Sequence, residues 1–291
     1  MASQPSKIPN SIEMFDRTAD GYDENTGGCT VDVARHIISI SPPITSTSTI
    51  LDNASGTGAI SQAILRPFKL SQLSPPHVTL ADGAAGMIRV AKAELARLAL
   101  PVQNTDFVVA PAEDLSSLQD DVFSHSFTNM GLPLFVDGER ASREIHRTVK
   151  PGGTAVVTSW RSFGYLDPVR DAQAVVLPGT EPFDLPLAKK WFDPEYIEKV
   201  MREAGFENVQ MGSFEAWYAA ESEEKIANFL VRLTEAVPWM KGKRDEILAE
   251  LQKTVVKYAK KVKKMVYHGD KEIEVELVGL SMMAIVAVCK K

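Results

Sequence analysis

The sequence predicts a doubly wound α/β fold: a seven-stranded, mostly parallel sheet covered on both faces and closed by a helical lid. Three observations carry that expectation. Short apolar runs alternate with helix-length amphipathic segments from residue 50 to residue 160. One of those runs opens through Gly56 and Gly58 into a helical pattern. A Pro-Gly-Gly turn, Pro151 to Gly153, leads into another run, TAVVTSW. Alternation at this spacing yields parallel strands joined by crossover helices.

The elements follow in order. The first dozen residues are polar, carry two prolines and predict a mobile start. A helix is expected over Val31 to Ile40, stopped by the break SPPITSTST at Ser41 to Thr49. Strands are expected at Ile50–Asn53, His77–Ala81, Asp106–Ala110, Val122–Thr128 and Thr154–Trp160. Helices are expected between them at Gly58–Phe68, Ala84–Leu98 and Gly138–Val149. After Trp160 the alternation stops, and residues 165–192 carry several prolines and one helical stretch. A helix at Pro194–Ala204 ends at Gly205, and a strand runs over Glu207–Tyr218. Helices are then expected at Ser222–Ala236 and Arg244–Lys263, and a last strand at Ile273–Val288, interrupted at Gly279. Neither the part before Trp160 nor the part after it looks able to fold alone. Residues 1–291 are therefore expected to form one domain, with 1–30 as a lid and 161–192 and 219–265 as segments capping a substrate.

Composition narrows the function. The 291 residues are 44% hydrophobic and 24% charged, ordinary for a globular protein. A net charge of −6 argues against a nucleic-acid or membrane-surface partner, because neutralising phosphates needs a basic face. Two cysteines, Cys29 and Cys289, make neither a disulfide framework nor a thiolate metal cluster. The start MASQPSKIPNSIEMF lacks the apolar stretch of a secretory signal. The most apolar segment, Leu277 to Val288, has about 12 residues where a bilayer span needs roughly 20. The expected compartment is the cytosol, and the oligomeric state is left open. The run Lys253 to Lys264 is basic, but its lysines surround an apolar stripe of Val255, Val256, Ala259 and Val262, which reads as a solvated helix face.

The central motif is LDNASGTGAI, Leu51 to Ile60, a buried strand that ends in Asp52 and bends through Gly56 and Gly58. A glycine bend alone could be only a tight turn. Asp52 sharpens it, since a carboxylate here would repel a dinucleotide's pyrophosphate by several kcal/mol at an effective dielectric near 20. Ser61 also stands where a dinucleotide fingerprint has its third glycine. S-adenosylmethionine carries an ammonium and a sulfonium instead of a phosphate, and suits that carboxylate. A nicotinamide-dependent reductase is disfavoured on the same ground.

With this motif the chain resembles the class I S-adenosylmethionine-dependent methyltransferases, well from Phe15 to Trp160 and loosely beyond. The resemblance implies a cofactor site residue by residue. Asp52, Ala54, Gly56 and Gly58 match the family's D-x-G-x-G-x-G, with Ala54 replacing its first glycine. Asp82, ending HVTLAD, matches the acidic residue that takes both ribose hydroxyls, although alone it could be a helix N-cap. Gly83 and Met87 fall in GAAGMI, similar to D-x-S-x-x-M-L, which would set Met87 on the adenine face; taken alone, Met87 reads as core. APAEDL, Ala110 to Leu115, is similar to G-D-A-E-x-L, but Pro111 stands where an acceptor side chain is usual. The adenine edge then falls to Glu113 and the Ala112 amide. EIHRTVKPGG, Glu144 to Gly153, resembles the element before strand five. FDRTADGYDENTGG, Phe15 to Gly28, resembles the segment that lids the cofactor, with Tyr22 over its methionine end or packed on a helix face.

For the acceptor, the chain ends of parallel strands are the expected mouth. Asn129 and Met130, after the fourth strand, are placed there, with Asn129 also near the cofactor. His125 and Asn129 are the candidates for a catalytic group; for His125, a buried and hydrogen-bonded histidine is the favoured reading. No histidine pair has metal-ligand or triad spacing. Trp160, Tyr165, Trp191 and Trp239, with Phe163 and Met240, are candidates for an apolar wall, each equally readable as core. The chain has N-M-G-L where nucleic-acid amino-methyltransferases carry N-P-P-Y, which argues against a base as substrate. The layout looks most like small-molecule methyltransferases of fungal natural-product pathways, among them gliotoxin-type dithiol S-methyltransferases. That implies methylation of S, O or N on a secondary metabolite; a non-catalytic regulator with the same fold is the competing expectation.

Overall fold

The computed structural model describes residues 11–235 and 242–291. Its sheet has eight strands: β1 (Thr49–Asn53), β2 (His77–Asp82), β3 (Thr105–Val109), β4 (Phe123–Thr128), β5 (Val149–Phe163), β6 (Asn208–Ala220), β7 (Lys260–His268) and β8 (Lys271–Lys290). They lie in the order β3-β2-β1-β4-β5-β8-β6, with β7 paired to β8 off that path. The first five are mutually parallel, and β8 runs antiparallel to β5, β6 and β7. All seven expected strands are present, and the sheet is mostly parallel.

Helices fill the crossovers because each carries an apolar stripe that must find the sheet. One face is covered by α3 (Cys29–Ser39), α4 (Ala59–Ser71), α5 (Ala85–Arg97), α7 (Leu166–Val176), α9 (Glu223–Glu235) and α10 (Arg244–Tyr258). The other is covered by α6 (Gly138–Thr148) and α8 (Pro194–Glu203). Alternation along β5 divides the two cores: Val156 joins the first, and Ala155 and Val157 join the second. Two capping residues fix helix starts. Asp137 accepts from the Arg140 amide at 2.8 Å, and Asp193 accepts from the Glu195 amide with Pro194 in the first turn.

The eighth strand corrects an expectation. The helix predicted to reach Lys263 stops at Tyr258, Ala259 turns extended (φ −71°, ψ 146°), and β7 begins at Lys260. The lysines there satisfy a period of two as well as a helical one. Val262 and Lys264 turn inward, while Lys261 and Lys263 turn outward to Glu276 and Glu274 on β8 at 3.0 and 2.7 Å. The partner strand that begins at Lys271 decided between the two periods, so the run is a solvated helix face only as far as Tyr258 and a strand from Lys260 onward. The last strand also passes unbroken through Gly279, which pairs with Ala219 on one edge and Lys260 on the other.

The β7–β8 hairpin lies over α3 and α4. The guanidinium groups of Arg35 and Arg66 stand over the Tyr267 ring at 4.5 and 3.8 Å, and Lys69 pairs with Asp270 at 2.6 Å. Beneath it, the buried Lys264 ammonium pairs with Asp32 at 2.7 Å and donates to the Trp217 carbonyl. Removing either partner would strand a charge out of water.

Candidate active site

The chain runs outward from β1 in both directions, to β2 and β3 on one side and to β4 and β5 on the other. The carboxyl end of β1 is thus the sheet's switch point, where a crevice opens between the diverging crossovers. A cavity of about 350 Å³ lies there, and a smaller one of about 50 Å³ adjoins it. Tyr22, Ala54, Gly56 and Asn129 line both.

The turn after β1 is built from left-handed backbone. Ala54, Gly56 and Gly58 have φ of 52°, 52° and 84°. Gly56 and Gly58 take this conformation freely, and Gly58 becomes the N-cap of α4. Ala54 takes it at a cost of roughly 1–2 kcal/mol, which marks a functional bend more than a convenient one. The bend is held by the Ser55 amide on the Ala81 carbonyl at 3.0 Å and the Gly58 amide on the Ser55 carbonyl at 2.8 Å.

Two carboxylates frame this turn. Asp52 is 1% exposed, and its Oδ2 accepts from the Ser61 amide at 3.1 Å and the Ser61 hydroxyl at 2.6 Å. Burial pushes its pKa up to about 7; the neighbouring Asp82 charge acts in the same direction and the Ser61 bonds oppose both. Asp82 ends β2. Its Oδ2 accepts from the Gly56 amide at 2.9 Å and its Oδ1 from the Ala84 amide at 2.8 Å. Burial raises its pKa as well, against those two bonds.

The floor and far wall of the larger cavity come from Gly83, Met87, Pro111, Ala112 and Glu113. The Glu113 carboxylate does not hang free: its Oε1 accepts from the amides of Val136 and Asp137 at 2.8 and 3.3 Å, tying the turn after β3 to the loop before α6. At the other end Asn129 is fixed by two elements, α3 and β5. Its Nδ2 donates to the Thr30 carbonyl at 3.0 Å, and its Oδ1 accepts from the Thr158 hydroxyl at 3.0 Å. That hydroxyl in turn accepts from the Met130 amide at 2.9 Å, and Met130 has φ 63°. Over the top lie α1 (Ser11–Thr18) and α2 (Tyr22–Asn25), which bring Ile12, Phe15 and Tyr22 to the cavity.

The predicted residues therefore divide. Tyr22, Ala54, Gly56, Asp82, Gly83, Met87, Ala112, Glu113, Asn129 and Met130 line the larger cavity, and Asp52 lines the smaller. Gly58 lines neither and sits behind the turn as the α4 cap, against Leu80 and Ala91. His125 is placed elsewhere. It pairs with Ile50 near the start of β1, and its ring nitrogens meet the Ser124 hydroxyl at 2.9 Å and the Pro42 carbonyl at 3.2 Å. It is a satisfied, buried histidine at the wrong end of the strand, held below its usual pKa by burial. The apolar wall is also corrected. Trp160 and Tyr165 belong to the first core and Trp191 to the second, and none lines the cavity. Trp239 and Met240 lie outside the described residues, as do residues 1–10 of the expected lid.

Several lining residues escaped the sequence. Ile12, Leu134, Phe135 and Arg140 reach the cavity, and Thr30, Ser55 and Thr57 reach its smaller neighbour. The Ser55 hydroxyl is buried and has no hydrogen-bond partner among the described residues. Only its place in the glycine turn could have singled it out. Chemically, the site offers alignment more than acid–base power. Cys29 is the nearby thiol; burial pushes its pKa up to about 12, and its Sγ donates to the Thr26 carbonyl. Among the described residues no cluster of His, Cys, Asp or Glu could hold a metal ion.

These donors fit S-adenosylmethionine. Asp52 could face its ammonium, and the partnerless Ser55 hydroxyl beside it could meet its carboxylate. Asp82 uses two of its roughly four acceptor sites on Gly56 and Ala84, which leaves capacity for a vicinal diol. Met87, Ile12 and Phe15 could enclose a flat base.

Comparisons with known proteins agree. Residues 51–157 match the family model described as a methyltransferase domain. The methyltransferase tpcH of Aspergillus fumigatus is 24% identical over 216 residues, covering 72% of this chain and 76% of that protein. The methyltransferase ktnA of Aspergillus niger is 25% identical over 232 residues, with the same 72% and 76% coverage. In fold, the chain is similar to an S-adenosylmethionine-dependent methyltransferase of Thermotoga maritima: TM-score 0.50, 15% identity, covering 97% of this chain and 100% of that one. The fold and the site define a nucleoside-binding α/β enzyme. More closely, the chain carries a methyltransferase domain over residues 51–157 and is similar to methyltransferases of fungi, and its cofactor is S-adenosylmethionine.

Proposed function

We propose that the chain transfers the methyl group of S-adenosylmethionine to a sulfur, oxygen or nitrogen atom of a small secondary metabolite. The observation that carries this is the pair of carboxylates, buried Asp52 and half-buried Asp82, on adjacent strands, each lining one of two adjoining cavities at the sheet's switch point. Likeness to the two Aspergillus methyltransferases supports methyl transfer.

Bound S-adenosylmethionine supplies an electrophilic methyl group together with its own leaving group. The chain's residues then bind and align. Asp52 holds the methionyl ammonium, and Ser55 with the start of α4 holds the carboxylate. Asp82 takes the ribose hydroxyls; Met87 and Ile12 cover the adenine, with Ala112 and Glu113 at its edge. Tyr22 and Asn129 bound the methyl end, and Met130 opens toward the acceptor. Alignment of this kind can contribute as much as about 7–11 kcal/mol. Besides Asp82, the titratable groups lining the larger cavity are Tyr22, Glu113, Asp137 and Arg140; the Glu113 and Asp137 carboxylates are engaged by backbone amides, and no histidine or lysine is among them. That favours an acceptor already partly ionised near neutrality, such as a thiol with a reference pKa near 8.5.

The same lack of a histidine or lysine keeps a second reading alive: a cofactor-binding regulator without turnover. Incubation with labelled S-adenosylmethionine and a panel of thiols, phenols and amines separates the two. A methylated product is expected. Thermal stabilisation by S-adenosylhomocysteine with no product from the panel would favour the regulator, and stabilisation by NADH instead would reject both.

A further inference from the structure

The segment from the end of β2 into the first turn of α5 contains two glycines, Gly83 and Gly86, and neither has the left-handed backbone that would demand glycine. Their neighbours supply the reason. A Cβ on Gly83 would stand 2.9 Å from the Ile12 side chain, and one on Gly86 would stand 2.6 Å from the Asp16 carbonyl oxygen. Both contacts are with α1. Backbone cannot yield at 2.6 Å, so the absent side chain at 86 is what lets α1 lie down on this turn.

A second observation is independent of that space. The first turn of α5 has no cap of its own: the N-cap position is Ala84, which offers no side chain to the orphan amides. The missing acceptor comes from α1. Asp16 Oδ1 accepts from the Gly86 amide at 2.5 Å, so a residue 70 positions upstream caps the helix that follows the ribose carboxylate. Two weaker contacts fix the angle of α1. The Ser11 hydroxyl donates to the Leu134 carbonyl at 2.9 Å, and Asp20 pairs with Arg89 on the solvent side at 2.8 Å.

From these contacts we infer that Asp16 is a latch. Its carboxylate seats α1 on the start of α5, and through that seat positions Ile12 and Phe15 as the roof of the cofactor cavity. Asp16 does not line the cavity, so it acts through the residues it places. The inference rests on the cofactor assignment above. It adds that cofactor retention is set by an interhelical cap that opens and closes with α1. An open lid exposes the cavity to water, and a capped one closes it.

The experiment measures S-adenosylhomocysteine binding by calorimetry and its dissociation rate by stopped flow, in the wild type and in Asp16→Leu, Asp16→Asn and Gly86→Ala. A charge-assisted cap is strong enough that Asp16→Leu should weaken binding about tenfold, mainly through faster dissociation. Asp16→Asn keeps an acceptor oxygen and should recover most of the loss; Gly86→Ala should reproduce Asp16→Leu. Amide exchange in the ligand-free protein should show Gly86 deprotected in Asp16→Leu while the β1, β2 and β4 amides stay protected. Wild-type binding that Asp16→Leu leaves unchanged, or a loss that Asp16→Asn fails to recover, would overturn the latch alone. A wild type that binds no S-adenosylhomocysteine would overturn the cofactor assignment and the latch with it.

Discussion

The amide of Gly56 donates to the carboxylate of Asp82 at 2.9 Å, joining the turn after β1 to the end of β2. Two motifs 26 residues apart in sequence are thus one construction. The carboxylate shapes the glycine turn, and the turn, with the Ala84 amide on the other oxygen, fixes which way the carboxylate presents its remaining acceptor sites.

Asp82→Ala removes both the shaping and the ligand contact. It leaves the Gly56 amide without its acceptor, for an expected stability loss of about 1–3 kcal/mol by urea denaturation. The rise in melting temperature on adding S-adenosylhomocysteine should vanish. A variant that keeps the full rise would show that the ribose is held elsewhere.

Asp52 predicts a pH dependence with opposite signs for folding and binding. Its pKa is raised by burial to about 7, so the folded state holds a proton that the unfolded state releases near pH 4. That contribution to stability is complete below pH 4 and is lost as pH rises through 7. Asp52→Asn, which cannot ionise, should therefore melt at or above the wild type at pH 8. Binding runs the other way, because an ammonium beside Asp52 favours the ionised form. Wild-type affinity for S-adenosylhomocysteine should fall up to about tenfold per unit below pH 7, with a proton released on binding. Titration calorimetry in buffers of different ionisation enthalpy measures both, and the Asn variant should be weak and flat across the range.

Thr158→Val tests the support of the methyl end. The hydroxyl serves the Met130 amide and the Asn129 side chain at once, and valine matches its shape without an acceptor. Leaving a buried amide unpaired beside a residue with φ 63° should cost about 1–3 kcal/mol. Freed from β5, Asn129 should also hold the cofactor less well. An unchanged urea midpoint would mean that the Met130 strain is held by something else.

Trp191 provides a contrast. It is 2% exposed, rests against Gly138 and Tyr196, and belongs to the core under α6 and α8. Trp191→Ala should cost about 3–5 kcal/mol, while the folded protein binds S-adenosylhomocysteine within about twofold of wild type. Selective loss of ligand binding at full stability would return this residue to the site.

The five parallel strands and their crossovers were legible because period-two and period-3.6 patterns there do not compete, and each strand is bounded by turn residues. The segment from Lys253 to Lys264 was not. Its lysines obey both periods, and only the facing Glu274 and Glu276 select the strand from Lys260 onward. The candidate site divides in the same way. Asp52 and Gly56 were singled out by type and spacing and Asp82 by the resemblance, and all three line the adjoining cavities. Trp160, Tyr165 and Trp191 were singled out for chemistry that equally suits a core, and His125 for a strand whose two ends sequence does not tell apart.

By itself the sequence determined the alternation, the glycine bend with its acidic neighbour, and hence a cationic, phosphate-free guest at the first strand end. These are local matters of backbone conformation and charge. Tertiary structure alone decided the eighth strand, which aromatic rings face the core, the shared hold of Asp82 on Gly56, and the reach of Asp16 across 70 residues to cap α5. Each of those depends on which distant groups are brought within about 3 Å, and a hydrogen bond or a packed ring exists only once both partners have been placed.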